Sequence, residues 1–283
     1  MWRGVAEQLT ALEGEGLIVL STERLHLGPG SPPLEVHVRR GEIVGLAGLE
    51  GNGQEEFLKT LAGLWVPREG RAVVPASGGG VKAITSLKTA ARCGVVYVPR
   101  DRKTEGVFSS LSALDNFAMA SLSRSSRGGI LRRRDLLNRF GRARQQLGIS
   151  VASPRHLITS LSGGNQQKVL LARVLELGAR VLLLNDPTRG VDPGTKHSLY
   201  EIFKRLARTE GVAIVLLSTE LSELVTVCDR VLAFFRGRVV AEYKRPLSED
   251  ALLAAMFGRT LRDSRGAHGS EVAMGPAGEE VLP

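Results

Sequence analysis

Cysteine is nearly absent: Cys93 and Cys228 are the only two in 283 residues. Without a C-x-x-C spacing they exclude a disulfide framework and a cysteine zinc site, and are expected to be buried small residues. Membrane-length apolar runs are missing too. The longest, such as Val212–Leu217, fall far short of the roughly 18 residues a spanning helix requires. No signal-peptide pattern opens the sequence, because residues 1–16 are polar and contain three Glu. These absences predict a cytoplasmic protein. Hydrophobic content of 43% and charged content of 24% are those of a globular chain, long enough for one large domain or two small ones. A core of useful size needs no covalent staples at this length. The net charge of +9 is high and suits nucleic acid, anionic lipid or merely an Arg-rich proteome.

Apolar patterning predicts an alternation of strands and helices. Short strands are expected at 17–20 and at 34–38, where Leu34, Val36 and Val38 point one way. Buried strands are expected at 42–47, 94–98, 180–184 and 212–217, the last two reading as fully buried parallel strands. Phe57, Leu58, Leu61 and Leu64 recur at helical spacing, as do Leu199, Ile202, Phe203 and Leu206. From 104 to about 156 the composition turns Ser-, Arg- and Leu-rich, with candidate helices at 114–122 and 136–147, and reads as a helical insertion. A hairpin is expected at 231–235 and 239–243, around Arg236 and Gly237. The segment 263–283 holds four Gly and two Pro among few large apolar residues and is expected to be disordered. No internal repeat is evident.

The stretch Gly48-Leu-Glu-Gly-Asn-Gly-Gln-Glu55 lies between the 42–47 strand and the following helix, the context of a phosphate-binding loop, G-x-x-x-x-G-K-[ST]. Gly48 and Gly53 fit that pattern. Gln54 stands where its lysine belongs, and Glu55 where its Ser or Thr belongs.

A second stretch is more specific. Residues 161–192 read LSGGNQQKVLLARVLELGARVLLLNDPTRGVD. Leu161-Ser162-Gly163-Gly164 ahead of a Gln-rich helix resembles the signature motif of ABC-transporter ATPases. The Leu-rich strand ending in Asn185-Asp186 resembles their Walker B strand, 23 residues after Ser162. The form with Asn165, the PTRGVD ending and YVPRDRKTEGVF at 97–108 resemble a narrower group. These are the ATP-binding subunits of bacterial simple-sugar importers (ribose, galactose, xylose and nucleoside type), in particular their second, carboxy-terminal cassette. The resemblance covers about residues 17–258. It implies an α/β, P-loop NTPase-like nucleotide-binding domain with an inserted helical subdomain at about 104–175. Residues 1–16 would then be an N-terminal extension and 259–283 a disordered tail.

In such families two cassettes pack head to tail, and each ATP lies between the loop of one and the signature of the other. The resemblance therefore assigns Gly48, Gly51, Asn52, Gly53, Gln54, Glu55 and Arg100 to this chain's own nucleotide. It assigns Leu161, Ser162, Gly163, Gly164 and Asn165 to a partner's. A signature opening a helix turns backbone amides and the positive dipole end toward a γ-phosphate, with the Ser162 hydroxyl as a further donor and glycines permitting close approach.

Against the family's pattern, the chain's own half-site departs at four places. Active cassettes set Lys on the phosphates and a Ser/Thr hydroxyl on Mg2+. Here Gln54 is neutral and Glu55 is an anion. A carboxylate about 4 Å from a phosphate charge costs on the order of 4 kcal/mol at an effective dielectric of roughly 20, unless Mg2+ between them offsets it. The usual Asp-Glu pair reads Asn185-Asp186, the second being one methylene short for a general base, though equally suited to capping the strand end. Thr219 replaces the switch histidine, and Arg100 the expected glutamine. Asp192 is kept. Asp186 and Thr219 thus hold the catalytic positions in degenerate form, while Glu55 and Asn185 are the candidate metal ligands.

The expected function is the ATP-binding subunit of a sugar or nucleoside importer, with ATP and Mg2+ as cofactors, peripheral on the cytoplasmic face of the inner membrane. Its expected partners are transmembrane permease subunits, a second ATP-binding cassette on another chain or in a missing half, and indirectly a periplasmic substrate-binding protein. Alternatives are a catalytically silent scaffold or regulatory remnant, or a non-transport ABC ATPase. Eight arginines between Arg124 and Arg144 read first as a solvated helix face and next as a membrane-side contact. With Phe140 as the segment's only aromatic, no stacking platform for nucleic acid is evident, and no nucleic-acid partner is expected.

Overall fold

The computed structural model describes residues 16–28, 30–76, 79–120, 126–127, 130–131 and 133–259. The expected extension (1–16) and tail (259–283) fall almost wholly outside them.

The central layer is a six-stranded sheet. It is built from β3 (Ile43–Ala47), β6 (Val95–Val98), β9 (Val181–Asn185), β10 (Ala213–Leu217), β11 (Arg230–Phe235) and β12 (Arg238–Lys244), in the order β12-β11-β3-β10-β9-β6. Five strands run parallel and β12 is antiparallel at the edge. β3, β9 and β10 are buried along their whole length, so they read as unbroken apolar runs. Their residues still divide between two cores. Ile43, Leu182, Leu184, Ile214 and Leu216 face one layer, while Val44, Leu46, Leu183 and Val215 face the other.

The second layer contains a four-stranded antiparallel sheet of β1 (Ile18–His26), β2 (His37–Arg39), β4 (Glu69–Pro75) and β5 (Val81–Ile84), ordered β2-β1-β4-β5. Helix α1 (Gln54–Leu61) lies between the two sheets through Phe57, Leu58 and Leu61. The expected one-sided run of Leu34, Val36 and Val38 is buried as read, although only 37–39 form regular strand. β1 extends six residues beyond the expected 17–20. β4 is not legible from alternation because Ala72, Val73 and Val74 are buried consecutively. Short α2 (Leu87–Arg92) starts at Ser86, whose Oγ accepts from Thr89 N at 3.2 Å.

The opposite layer is helical. α3 (Ala113–Ala118), a two-residue hairpin of β7 (Ser126–Arg127) and β8 (Ile130–Leu131), α4 (Arg133–Leu147) and α5 (Gly163–Glu176) form the expected insertion. Phe117 and Phe140 meet edge to face at 5.4 Å between ring centroids. α3 ends at 118 where a helix to 122 was expected, and residues 121–125 lie outside those described. α6 (Pro193–Glu210), α7 (Leu221–Val227) and α8 (Glu249–Met256) complete the fold. Cys228 is fully buried as expected, but Cys93 is only partly so.

Parallel register places the carboxyl ends of four strands side by side: Leu217 pairs with both Leu46 and Asn185, and Val98 with Leu184. The loops that follow them, carrying Gly48, Arg100, Asp186 and Thr219, therefore converge on one edge of the sheet, where open α/β folds place ligands.

Candidate functional site

The loop 48–53 leads from β3 into α1. Gly51 and Gly53 adopt φ of 82° and 101°, which a side chain would strain. The β11–β12 turn braces the loop: Arg236 N donates to Asn52 Oδ1 and Gly237 N to Asn52 O, each at 3.0 Å. Among the described residues the amides of Gln54, Glu55 and Glu56 have no protein acceptor, as in an uncapped helix start. The loop thus keeps the backbone geometry that receives a phosphate.

Its side chains do otherwise. Gln54 is 6% exposed and folds back, Nε2 donating to Gly48 O at 3.0 Å and Leu49 O at 2.8 Å. A Cβ at Gly48 would lie 2.7 Å from Gln54 Oε1, so this glycine makes room for the chain's own glutamine. Oε1 itself is buried without a partner. Glu55 pairs with Lys59 one turn on, at 2.9 Å, and accepts from Asn185 Nδ2 at 3.2 Å. Burial raises the Glu55 pKa, but the hydrogen bond and charge of Lys59, the Asn185 amide and the Arg100 charge together bring it below its ordinary value. Asn185, 1% exposed, also donates to Tyr97 OH at 3.0 Å. The ionised Glu55 can only accept, which fixes the amide with its nitrogen toward it.

The sequence assigned Glu55 and Asn185 as metal ligands. The structure brings them together, in contact with each other. The carboxylate is committed to Lys59, and Asn185 turns a donor to it. Among the described residues no group of three His, Cys, Asp or Glu side chains could hold an ion. Asn185 Oδ1, on the other side of the same amide, is buried without a partner, so one acceptor at this place is unspent.

Asp186, 3% exposed, has a φ of 48°, and its N donates to Leu217 O at 2.8 Å. Arg100 Nε lies 3.5 Å from its Oδ2 without forming a hydrogen bond, and Arg100 Nη1 lies 3.6 Å from Glu50 Oε1. Thr219 Oγ1 donates to both Asp186 oxygens at 3.3–3.5 Å. The sequence treated Arg100, Asp186 and Thr219 as three separate losses. They form one cluster in which the carboxylate is held by a cation and a hydroxyl. Beneath it, Glu223 (1% exposed) accepts from Thr188 Oγ1 at 3.0 Å and from Ser218 Oγ in a shorter bond. Burial raises the Glu223 pKa and outweighs those two hydrogen bonds. Glu223, Lys59 and Tyr97 were missed because none belongs to a phosphate-loop pattern.

The signature end is built differently. Ser162 is the exposed N-cap of α5, and its Oγ accepts from Asn165 N at 3.4 Å and Asn165 Nδ2 at 2.9 Å. Both bonds use the oxygen's lone pairs, leaving the hydroxyl hydrogen to donate outward. Asn165 Oδ1 accepts from Ser150 N at 2.7 Å, and Leu161 is buried beneath. Asp192 caps α6, accepting from Thr195 N at 2.9 Å and Thr195 Oγ1 at 2.8 Å. The reading that Gly164 makes room for a phosphate is corrected by its neighbours: a Cβ there would lie 2.2 Å from Thr195 Cγ2 of the same chain. Gly164 is a glycine because α5 and α6 approach closely. At Gly163 a Cβ would meet Arg102 Nη2 at 2.4 Å. No hydrogen bond or ion pair among the described residues joins 48–55 to 161–165.

Residues 32–189, more than half of the chain, match the ABC transporter family model. Ribose import ATP-binding protein RbsA 1 of Rhizobium johnstonii is 35% identical over 87% of this chain and 48% of its own length. Arabinose import ATP-binding protein AraG of Rhizobium etli is 38% identical over 90% of this chain and 49% of its own. The chain thus spans about half the length of the curated relatives it matches. A nucleotide-free ATP-binding cassette from an ABC transporter superposes with a TM-score of 0.69 at 17% identity, covering 81% of this chain and 92% of that one. A dimeric post-hydrolysis cassette bound to ADP and Pi gives 0.66 at 19%, covering 81% and 99%. Motifs, sheet order and sequence match agree, and the chain belongs to the ABC transporter family.

Proposed function

We propose that this chain is the ATP-binding component of a bacterial sugar importer that lends its signature to a companion cassette's ATP and does not hydrolyse nucleotide at its own loop. The importer reading is supported by the ribose- and arabinose-import relatives. The division of labour rests on one observation: Asp186 faces Arg100 and Thr219 of its own chain, while Ser162 is exposed with an unspent hydroxyl hydrogen.

A general base must reach the attacking water with a free lone pair. Asp186 is short, 3% exposed and faces a cation and a hydroxyl of its own chain, so its oxygens are not turned toward an open water site. Gln54 supplies no charge to a phosphate, and both cations at the loop, Lys59 and Arg100, face carboxylates of the same chain. The loop's free amides at 54–56 still suit a phosphate oxygen, so weak nucleotide binding without turnover fits. At the other end, the Ser162 hydroxyl and the first amides of α5 would donate to the γ-phosphate of ATP carried by the companion. Such donors act where negative charge develops, a contribution of about 3–4 kcal/mol for one well-placed donor.

The chain would then work on the cytoplasmic face of the membrane against permease subunits, with a substrate-binding protein acting from outside. No helix among the described residues is long and apolar enough to cross a membrane. The test is ATPase activity after co-purification with permease subunits and a companion cassette. Ser162→Asp keeps an N-cap but sets a negative charge against the phosphate, whereas Ser162→Thr keeps cap and donor. Loss of activity with Asp, retention with Thr and equal melting of all three lone chains support the reading. An active Asp complex refutes it and favours the silent remnant.

A further inference from the structure

The segment after β6 carries two arginines on either side of Asp101, and they grip opposite ends of one turn. Arg100 faces the Asp186 carboxylate at the turn's start. Arg102 Nη1 donates to Arg189 O at 2.8 Å and its Nη2 to Gly190 O at 3.3 Å, at the turn's far end. The same guanidinium lies against the first residue of the signature helix, since a Cβ on Gly163 would fall 2.4 Å from Nη2 and 3.3 Å from Cζ. Arg102 is set in place by its own backbone. Asp101 Oδ1 accepts from Lys103 N at 2.9 Å and Thr104 N at 3.3 Å, and Val107 N donates to Arg102 O at 2.8 Å.

A planar fork with fixed donors suits two adjacent carbonyls in a way that a single ammonium does not. The placement has an electrostatic cost, because a cation beside a helix N-terminus opposes the dipole. Burial adds to it: Arg102 Nε is shielded and has no hydrogen-bond partner. A purely structural contact at this place could be made by an apolar side chain at no such cost.

We propose that Arg102 is a positioning residue for the signature, its guanidinium clasping the 189–190 backbone and backing the first turn of α5 so that Ser162 presents its hydroxyl to the companion's ATP. This rests on the function proposed above and adds the residue that ties the signature to the turn following Asp186. A Cβ at Gly163 would displace the end of the Arg102 guanidinium and so loosen its bonds to Arg189 O and Gly190 O, whereas at Gly164 it would meet the short side chain of Thr195.

Two measurements test the inference. In the purified lone chain, Gly163→Ala should lower the melting midpoint by roughly 2–4 °C, the shift of about 1 kcal/mol in a chain of this size, because the guanidinium must give up its place on the two carbonyls. The same change in an Arg102→Ala background should cost far less, a non-additivity that reports the contact itself. In the assembled complex, Arg102→Ala should lower kcat on the order of 10- to 100-fold with KM for ATP unchanged, because ATP is held by the companion's loop. Arg102→Lys keeps the charge and loses the fork, and should remain within about threefold of Arg102→Ala. Full rescue by Lys overturns the proposal in favour of a bare charge effect. Unchanged kcat in Arg102→Ala, with an active wild-type complex, overturns it outright, as does strict additivity in the melting cycle. A wild-type complex without ATPase activity overturns the function proposed above, and this inference with it.

Discussion

The loop at 48–55 and the turn at 161–165 both open helices, and both retain the glycines of phosphate-contacting motifs. At the loop, Glu55 has Lys59, Asp186 has Arg100 and Thr219, and the Gln54 amide is bonded to the loop's own carbonyls. At the turn, Ser162 uses only its lone pairs on Asn165 and stays exposed. A binding motif is defined by groups left unspent as much as by residue type. The loop has kept its backbone and closed its charges on itself, whereas the turn keeps a hydroxyl hydrogen that no group among the described residues accepts.

The glycines sharpen this contrast, and the largest stability effect is expected there. Gly164→Ala should destabilise the lone chain by about 1–3 kcal/mol, net of the small helix-propensity gain of alanine. Thr195→Ser removes Cγ2, the nearest of the atoms a Cβ would meet, while Cβ and Oγ1 stay at 2.9 Å and keep their place at Asp192, so the double variant should recover part of that loss. Denaturant midpoints of the two single variants and the double variant measure it. Equal loss in the double variant would mean that Gly164 is needed for another reason.

Next in size is the loop. Gln54→Lys with Glu55→Ser should raise nucleotide affinity by roughly tenfold or more, since it adds one cation and releases Lys59 from Glu55. Turnover should not appear, because Asp186 stays clasped. Calorimetry of ATP binding beside phosphate release checks both halves. Unchanged affinity would show that phosphate does not reach this loop.

The smallest expected effect is a pH dependence. The Glu223 pKa is raised from its ordinary 4.5 by burial. A carboxyl whose folded pKa is raised is most favourable to folding below its unfolded pKa, and stability is lost as pH rises toward the folded value. Glu223→Gln removes that loss. The variant should therefore gain on the wild type from pH 4.5 upward, by at most about 1.4 kcal/mol per pH unit until the folded pKa is passed. Urea midpoints across pH 4–8 would show it, and a constant offset between the two proteins would contradict it.

The alternation of buried parallel strands with amphipathic helices was legible, because Val181–Asn185 and Ala213–Leu217 are apolar throughout and α6 carries Leu199, Ile202, Phe203 and Leu206 on one face. β4 and β5 were not, since the three consecutive buried residues in β4 follow no period of two. The altered positions of the half-site could be read singly from the motifs. Their mutual pairing could not, because Glu55 meets Asn185 across 130 residues and Arg100 meets Asp186 across the sheet edge. What crowds Gly163 and Gly164 was hidden for a similar reason. The neighbours that forbid a Cβ, Arg102 and Thr195, come from segments distant in sequence, and a motif does not reveal them.

The contrast between the two regions is tested most directly by placing one substitution in each and measuring ATPase activity of the same assembled complex. Asp186→Asn suits the positive φ of 48° and removes the carboxylate that Arg100 and Thr219 face at the end of β9. Ser162→Asp repels a phosphate at the signature. Activity within about twofold of wild type for Asp186→Asn, with loss on the order of 100-fold for Ser162→Asp, is the predicted result. Loss with Asp186→Asn and full activity with Ser162→Asp would mean that the chain hydrolyses ATP at its own loop, and would contradict the account.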